Sequence, residues 1–318
     1  MKKYNIPIFI PHEGCPHDCV FCNQRKITGL ETSVSPDETK WLIKEHLTYL
    51  PDVEKYTEVA FFGGSFTGLS MELQQEFYDT ANLFKDQIDG IRLSTRPDYI
   101  NEDILTLAKE KGVTTIELGV QSAFDDVLEL NNRGHTFNQT LKSIDMIKKS
   151  GIGVGVQMMT GMYGSDKEKD VKTAKILSEV GADCARIYPT LVLKGTALEN
   201  LYKINKYQPQ TLEDAIETAK ECLILFREKN IPVIRLGLHS SEEIRKEENV
   251  IAGPFHPAFG ELVESRIWRD KIENDINSAN NGVLEVRVSK NEISKAIGHK
   301  GCNRIYFKEK YGLELKIL

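Results

Sequence analysis

The sequence from Ile6 to Cys22 reads IPIFIPHEGCPHDCVFC, an apolar run followed closely by three cysteines. The five-residue run IPIFI predicts a first β-strand, because short apolar runs that are bounded by turn residues are typical of buried strands. Cys15, Cys19 and Cys22 lie within eight residues of one another. Three thiolates at this spacing can bind one metal cluster if the backbone loops tightly. The pattern therefore predicts a cluster-binding loop directly after the first strand.

This loop offers three ligands where a cubane iron–sulfur cluster usually has four cysteines. Gly14 and Pro16 suit the tight loop, whereas Cys184, Cys222 and Cys302 are widely separated and are interpreted as core or surface thiols. Three close cysteines without a local fourth predict one iron left open. The alternatives are a zinc site or incidental buried thiols. Zinc motifs usually contain two cysteine pairs, and no second pair follows here.

Short apolar strands alternate with helical patterns along most of the chain. The predicted strands are IPIFI from Ile6, TEVAFFGG from Thr57, GIRLST from Gly90, TTIELGV from Thr114, GIGVGVQMM from Gly151, CARIYPT from Cys184 and IPVIRLGL from Ile231. The predicted helices are Pro36 to Leu50, Glu72 to Phe84, Asp103 to Lys111, Phe137 to Ser150, Lys167 to Val180 and Leu212 to Lys229, with C-cap glycines at 112, 151 and 181. This alternation predicts parallel strands with right-handed crossovers. We expect an α/β fold, a partial TIM-type (β/α)6 barrel.

The regular alternation ends near Leu238, and three segments are predicted. Residues 1–238 form the barrel, and residues 239–260, which are first charged and then rich in Gly and Pro, form a connector. Residues 261–318 begin with a helix from Glu261 to Ile276 and continue into a small α+β appendage. From Val283 onward there are eight Lys or Arg and four Asp or Glu, a local charge of +4 in a chain of −6. This basic end on an acidic body indicates a local anionic partner.

Composition places the chain among ordinary globular proteins. Of its 318 residues, 40% are hydrophobic and 28% are charged. No apolar run approaches the roughly 18 residues that a membrane helix needs, and the N-terminal apolar run is interrupted by proline and is interpreted as a strand and not a signal peptide. We therefore expect a cytoplasmic protein without a membrane partner. Disulfides are rare in that compartment, so the six cysteines are expected to be thiols or metal ligands.

The C-x3-C-x2-C spacing, with Phe21 before the last cysteine, resembles the radical SAM superfamily. The resemblance implies a [4Fe–4S] cluster held by Cys15, Cys19 and Cys22. It also implies that S-adenosylmethionine (SAM) binds the open iron and is cleaved to a 5′-deoxyadenosyl radical, with electrons from a reducing donor. A loop after the first strand of a barrel fits this expectation, because barrel active sites lie at the carboxyl ends of the strands.

Further motifs narrow the resemblance. The segments STRPDY from Ser94, ELGVQS from Glu117, NNRGHT from Asn131 and IYPTLVLKGT from Ile187 resemble the catalytic subunit of elongator, which modifies wobble uridine in transfer RNA; several also resemble oxygen-independent coproporphyrinogen oxidase. Carried over by position, the SAM contacts are Gly63, Gly64 and Ser65 at the end of the second strand, Ser94, Gln121, Arg133, and Gln157 at the end of the fifth. Ser94 stands where the coproporphyrinogen enzyme has an acidic SAM ligand. The alternative for each is a strand-end polar group or a surface arginine.

Two departures separate the chain from the elongator family. That family spaces its first two cysteines much more widely. It also carries an acetyltransferase domain, for which we expect no room here. The carboxymethylating reaction as a whole is therefore not implied.

The basic C-terminal segment resembles a KH domain, whose GxxG loop binds single-stranded nucleic acid. It reads as strand, helix, Gly298-His299-Lys300-Gly301, helix and strand, with Ile297 and Ile305 expected as apolar anchors. The resemblance implies RNA binding by the four loop residues and Arg304. The alternative is a small appendage that covers the barrel or mediates dimers.

Together these patterns predict a radical SAM enzyme that modifies RNA, with transfer RNA as the expected substrate. The first alternative is a radical SAM enzyme for a small molecule such as a tetrapyrrole, with a structural tail. The second is a binding protein that retains the cluster without turnover. The sequence identifies no catalytic residue and does not give the oligomeric state.

Overall fold

In the computed structural model, the described residues are 2–10, 15, 19–23, 34–238, 242–246 and 248–318, and side chains are described throughout except at 242 and 243. The central strands are β1 (Lys2–Ile10), β2 (Lys55–Gly63), β3 (Gly90–Thr95), β4 (Val113–Gln121), β5 (Gly153–Thr160), β6 (Cys184–Pro189) and β8 (Val233–Leu236). They form a seven-stranded sheet in this order, and every neighbouring pair is parallel. The sheet curls into a half-barrel, which confirms the predicted α/β, partial TIM-type class.

Helices cover one face of this sheet. The helices up to β8 are α1 (Pro36–Tyr49), α2 (Met71–Asn82), α3 (Glu102–Glu110), α4 (Asp125–Leu130), α5 (Phe137–Ser150), α6 (Lys167–Glu179), α7 (Ala197–Lys203) and α8 (Leu212–Glu228). Helix α5 shows why the sequence predicts these ends well. Thr136 and Gln139 form a capping box at its start, and Gly151 ends it at a φ of 81°.

The two faces of the sheet differ in burial. Side chains that point toward the helices, such as Ile8, Phe61 and Leu93, are completely buried in the main core. The opposite, concave face includes half-buried side chains such as Ser94 and Gln157. Because successive residues of a strand point to opposite faces, one face forms the core and the other lines an accessible cavity.

The predicted connector contains regular structure among its described residues. These are α9 (Glu242–Arg245) and β9 (Val250–Ala252). Strand β9 pairs antiparallel with the two-residue strand β7 (Val192–Leu193). Neither of these two strands was predicted from the sequence. The segment thus folds back onto the loop that follows β6.

A single long helix joins the barrel to the C-terminal segment. Helix α10 (Phe259–Asn274) places Phe259, Val263 and Ile267 in the main core. Near its end, Ile272 enters a second, smaller core that belongs to the C-terminal segment. One helix therefore packs against both bodies, and the division into three segments at residues 238 and 260 stays a prediction.

The C-terminal segment has the predicted order of elements. It contains β10 (Val283–Val286), α11 (Ile293–Ile297), a 3₁₀ turn (His299–Gly301), α12 (Cys302–Tyr311) and β11 (Glu314–Ile317), and the two strands pair in parallel. Within the described residues, the sheet of the C-terminal segment consists of the two strands β10 and β11.

One packing prediction in this segment is wrong. Ile305 is 53% exposed and is not an apolar anchor. Ala296 and Phe307 fill the small core instead, together with Leu284 and Leu315. The helical periodicity of α12 explains this difference. Asn303 and Phe307, four residues apart, lie on the buried face of the helix, and Ile305 lies on another face.

None of the described helices is long and apolar enough to span a membrane.

Candidate functional site

The candidate site lies at the carboxyl edge of the half-barrel, where β1 and β2 end side by side. Gly63 pairs with Ile10 and adopts a φ of +117°, and Gly64 N–H donates to the Ile10 carbonyl at 3.0 Å. A Cβ on Gly63 would lie 2.6 Å from that carbonyl oxygen. A glycine is therefore required here by the close approach of the strand that leads into the cysteine loop.

Ser65 forms buried hydrogen bonds that support the ends of β2 and β3. It is 1% exposed, its hydroxyl lies 2.8 Å from that of Thr95, and it accepts the backbone N–H of Arg96 at 3.3 Å. The hydroxyl of Thr95 is also bonded to that of Thr67. The structure thus places Ser65 inside a buried hydroxyl cluster behind Gly63 and Gly64, where it supports the ends of β2 and β3.

Arg133 links the cysteine loop to β4. Its Nη1 donates to the sulfur of Cys19 at 3.1 Å, and its Nη2 donates to the Gly119 carbonyl at 2.6 Å. Both Arg133 and Cys19 are buried, with exposed fractions of 6% and 5%. A buried guanidinium is therefore aimed at one of the three predicted cluster cysteines, which excludes the plain surface arginine that was the alternative.

Several buried polar atoms around Arg133 have no hydrogen-bond partner within the described part of the chain. They are Nε of Arg133, Oε1 of Gln121, Nη1 of Arg96 and Nε2 of His135. Gln121 also adopts a φ of 70° at the end of β4, which is unusual for a residue other than glycine. Buried polar groups in folded proteins are normally hydrogen-bonded. This concentration of unsatisfied donors and acceptors fits the binding of a polar ligand.

Arg96 and His135 lie in the segments from Ser94 and from Asn131, and no role was predicted for either residue from the sequence. Arg96 forms a bidentate ion pair with Asp98, with N–O distances of 3.0 and 2.9 Å, and its Nη2 also donates to the Arg133 carbonyl. Burial, with the charge of Arg133 beside it, lowers the pKa of His135 to about 4. His135 is therefore neutral at physiological pH. In the sequence, Arg96 lies in the segment TRPD and His135 in the segment RGHT, both adjacent to predicted SAM contacts. These positions were the sequence signal that could have indicated a role for them.

The predicted cluster ligands lie on a partly described segment. Cys15, Cys19 and Cys22 are among the described residues, whereas Gly14 and Pro16, which were predicted to shape the loop, lie outside them. Within the described residues, no group of three or more His, Cys, Asp or Glu side chains is arranged to hold a metal ion. The assignment of the three cysteines to the cluster stays a prediction, supported by the contact between Cys19 and Arg133.

The concave face contains a buried chain of four charges. Glu58 pairs with Arg92 at 2.8 Å, Arg92 pairs with Glu117 at 2.8 Å, and Glu117 accepts two N–H groups of Arg186. Burial alone would raise the pKa of Glu117, but the bonds and charges of Arg186 and Arg92 lower it below its ordinary value. The four charges sum to zero, so the cavity floor is polar but electrically balanced.

Ser94 and Gln157 lie on this same concave face. Ser94 pairs with Glu117 across the β3–β4 boundary, and Gln157 pairs with Gly119 and Arg186. The strand continues for three residues beyond Gln157 to Thr160, so Gln157 lies inside β5 and its predicted place at the strand end is wrong. Both residues therefore lie beside the four-charge chain on the concave face.

The GxxG loop lies elsewhere, against α10. The His299 N–H donates to Ser265 Oγ at 2.9 Å, and its ring lies 2.8 Å from the Glu261 carboxylate. A Cβ on Gly298 would lie 2.6 Å from the sulfur of Cys302, whereas one on Gly301 would meet nothing within 4 Å. Lys300 and Arg304 are exposed. The loop therefore presents cationic side chains, while one of its backbone donors is already used internally.

Comparisons with known proteins agree with this arrangement. The model of the radical SAM superfamily matches residues 9–177, more than half of the chain, and that of the radical SAM C-terminal domain matches residues 182–269. A protein of Methanocaldococcus jannaschii named tRNA uridine(34) acetyltransferase is 30% identical over 254 residues, covering 67% of this chain and 47% of its own length. Elongator complex protein 3 of Saccharomyces cerevisiae is 29% identical over 261 residues, covering 68% of this chain and 47% of its own. The chain thus spans about half the length of these relatives.

A solved structure shows the same fold. Elp3 of Methanocaldococcus infernus, with an N-terminal deletion, superposes with a TM-score of 0.65 at 24% identity, covering 85% of this chain and 63% of its own. The family match spans the cysteine loop, the glycine pair at the end of β2 and the Arg133 cluster. On this evidence the chain belongs to the radical SAM superfamily of enzymes.

Proposed function

We propose that the chain binds a [4Fe–4S] cluster through Cys15, Cys19 and Cys22, cleaves SAM, and modifies RNA, with transfer RNA as the substrate class. The observation that carries the proposal is the buried contact between Arg133 and Cys19, surrounded by unsatisfied polar atoms of Gln121, Arg96 and His135. When bound, the reduced cluster supplies the electron that cleaves SAM to methionine and a 5′-deoxyadenosyl radical. The electron comes from an external reducing donor.

Different residues around the cluster would contact different parts of SAM. Gly63 and Gly64 leave room for the methionine part beside the cysteine loop, because no side chain projects from them. Arg133 offers a cation with an unused Nε, and Gln121 offers an unused carbonyl oxygen. Gln157 and Ser94, half-buried on the concave face, offer polar contacts toward the nucleoside part. Ser65 supports the strand ends from inside the hydroxyl cluster.

Two observations support RNA as the substrate. Curated relatives that match two-thirds of the chain have names that refer to transfer RNA uridine or to elongator. The C-terminal segment also exposes Lys300 and Arg304 beside a loop with two glycines, and the exposed Ile305 adds an apolar surface. Cationic side chains next to apolar surface suit single-stranded RNA, whose phosphates and bases they would contact.

One observation favours a second candidate, a small-molecule substrate. The His299 N–H, which a KH domain would offer to phosphate, donates instead to Ser265. A tail whose loop is bonded to α10 could serve only to cover the barrel. In that case the concave cavity would accept a small substrate, and RNA affinity would be absent.

The cluster assignment is tested by anaerobic reconstitution with iron and sulfide. The parent should contain four irons per chain, and Cys15→Ala, Cys19→Ala and Cys22→Ala should each lose the cluster. Cys302→Ala is the matched control, since its thiol lies in the C-terminal segment. A complete cluster in the Cys19→Ala protein would reject the assignment.

The substrate is tested by mass-spectrometric comparison of transfer RNA nucleosides from parent and deletion strains. We expect one modified nucleoside to disappear on deletion and to return with the parent gene but not with Cys19→Ala. Identical nucleoside profiles, together with SAM cleavage by dithionite-reduced protein and no affinity for transfer RNA, would favour the small-molecule candidate. An RNA difference without SAM cleavage would contradict radical chemistry.

A further inference from the structure

Arg96 is a second buried arginine at the cysteine loop. It follows β3 directly and is 3% exposed. Its Nε and Nη2 donate to Asp98, and Nη2 also donates to the Arg133 carbonyl. These bonds fix the guanidinium plane from one side. The backbone of Arg96 is held as well, because its N–H donates to Ser65.

The remaining donor of Arg96 has no structural use among the described residues. Its Nη1 is fully buried and makes no hydrogen bond there. Arg96 is connected to the cysteine loop through Arg133, whose carbonyl accepts from Arg96 Nη2 and whose Nη1 donates to Cys19. A purely structural ion pair with Asp98 would need only Nε and Nη2. A buried donor without a described partner beside the Arg133–Cys19 contact therefore indicates a bound ligand at this position.

The position of Arg96 differs from that of Arg133. Arg133 reaches Cys19 from the loop after α4, whereas Arg96 comes from the end of β3 and donates to the carbonyl of Arg133. Two buried cations from different elements thus meet beside Cys19. The carboxylate of Asp98, which is 17% exposed, balances one of them from the side that faces solvent.

We propose that Arg96 is a positioning residue for the iron–sulfur cluster, whose Nη1 would donate to a sulfur of the bound cluster beside Cys19. The inference rests on the proposed function and extends it to a residue outside the three cysteines. Reduction adds a negative charge to the cluster. A fixed cation and an N–H donor at its sulfurs favour the reduced form and raise the reduction potential. Arg96 therefore helps the cluster to accept the electron that SAM cleavage requires.

The test compares reconstituted full-length parent, Arg96→Gln and Arg96→Lys proteins. The readouts are iron content, the SAM dissociation constant, and a redox titration of the cluster followed by electron paramagnetic resonance. Arg96→Gln should keep four irons and lower the reduction equilibrium constant about tenfold, which is about 59 mV for one electron. Arg96→Lys keeps the charge and should lose less. Arg235→Gln is the matched control, since Arg235 lies on β8 and donates to the Gly237 and Leu238 carbonyls.

The outcomes separate this inference from the proposed function. An Arg96→Gln protein with four irons and the parent's potential would overturn the inference and leave the function intact. A fall in SAM affinity at unchanged potential would also overturn it, because Arg96 would then serve SAM. If Arg96→Gln loses iron, the Arg96→Lys protein is measured instead. A reduction potential of Arg96→Lys equal to that of the parent would reject the assignment of Arg96 as a donor to the cluster. A parent without any cluster would instead reject the proposed function.

Discussion

Glu117 is the central anion of the four-charge chain in the barrel, and its removal should be costly. It is 3% exposed and accepts three N–H groups, one from Arg92 and two from Arg186. Glu117→Gln keeps the shape but leaves Arg186 without its carboxylate while Arg92 still pairs with Glu58, so one positive charge is uncompensated. Removing one partner of a buried ion pair costs about 3–5 kcal/mol. We expect a loss of this size in the free energy of unfolding at pH 7.5.

The physical origin can be isolated by a double variant. Glu117→Gln with Arg186→Met removes one charge of each sign and leaves the neutral Glu58–Arg92 pair. Its cost should be smaller than the sum of the two single changes by about 2 kcal/mol. Asp145→Asn is the control, since Asp145 and Lys149 are both more than half exposed and their pair is worth less than about 0.5 kcal/mol.

Urea unfolding followed by far-ultraviolet circular dichroism, under anaerobic conditions, measures the parent and the four variants: the two single changes, the double variant and the Asp145→Asn control. The sign of the pH dependence follows from the lowered pKa of Glu117. Its stabilisation is present above the ordinary glutamate pKa and is lost as the pH falls through the lowered value in the folded protein. A Glu117→Gln protein within about 1 kcal/mol of the parent at pH 7.5 would refute the reasoning, as would strictly additive effects in the double variant.

Three further predictions concern other parts of the chain. Burial raises the pKa of Asp170 to about 7, above its ordinary 3.8, so its stabilisation is complete below pH 3.8 and is lost as the pH rises through 7. Asp170→Asn should therefore remove a slope of about 1.4 kcal/mol per pH unit in the free energy of unfolding between pH 5 and 7, and equal slopes in the parent and the variant would contradict this. Gly63→Ala should destabilise the protein by at least about 1 kcal/mol, because its Cβ would meet the Ile10 carbonyl; calorimetry and iron content measure this, and an unchanged melting temperature would show that β1 can shift. Lys300→Glu should weaken transfer RNA binding by roughly 1–2 kcal/mol in a filter-binding assay at fixed salt. A loss of the same size in Lys316→Glu, where the lysine on β11 pairs with Glu285 on β10, would show a non-specific charge effect.

Local sequence signals predicted most of the barrel correctly. Strand β3 and helix α5 begin and end at the predicted residues. Both depend on neighbours along the chain, namely alternating apolar residues in the strand and a capping box with a C-cap glycine in the helix. The short β7 and β9 were missed because two or three residues contain too little periodicity to identify a strand. They exist because they pair with each other.

The C-terminal segment shows the limit of pattern reasoning on short helices. The order of its elements was predicted correctly, but Ile305 was assigned to the core and is exposed. A helix of ten residues with apolar side chains on several faces does not show which face packs. The parallel strands β10 and β11 and the preceding helix α10 select Phe307.

The sequence by itself determined the radical SAM character of this protein, because the three cysteines and their spacing lie within eight consecutive residues. Only the tertiary structure decided which groups surround the loop. Arg133 meets Cys19 across 114 positions of the chain, and Arg96 meets the Arg133 carbonyl across 37. These contacts arise because parallel strands bring their carboxyl ends to one edge. A residue's partners at that edge depend on the register of neighbouring strands and on burial, which no local pattern specifies.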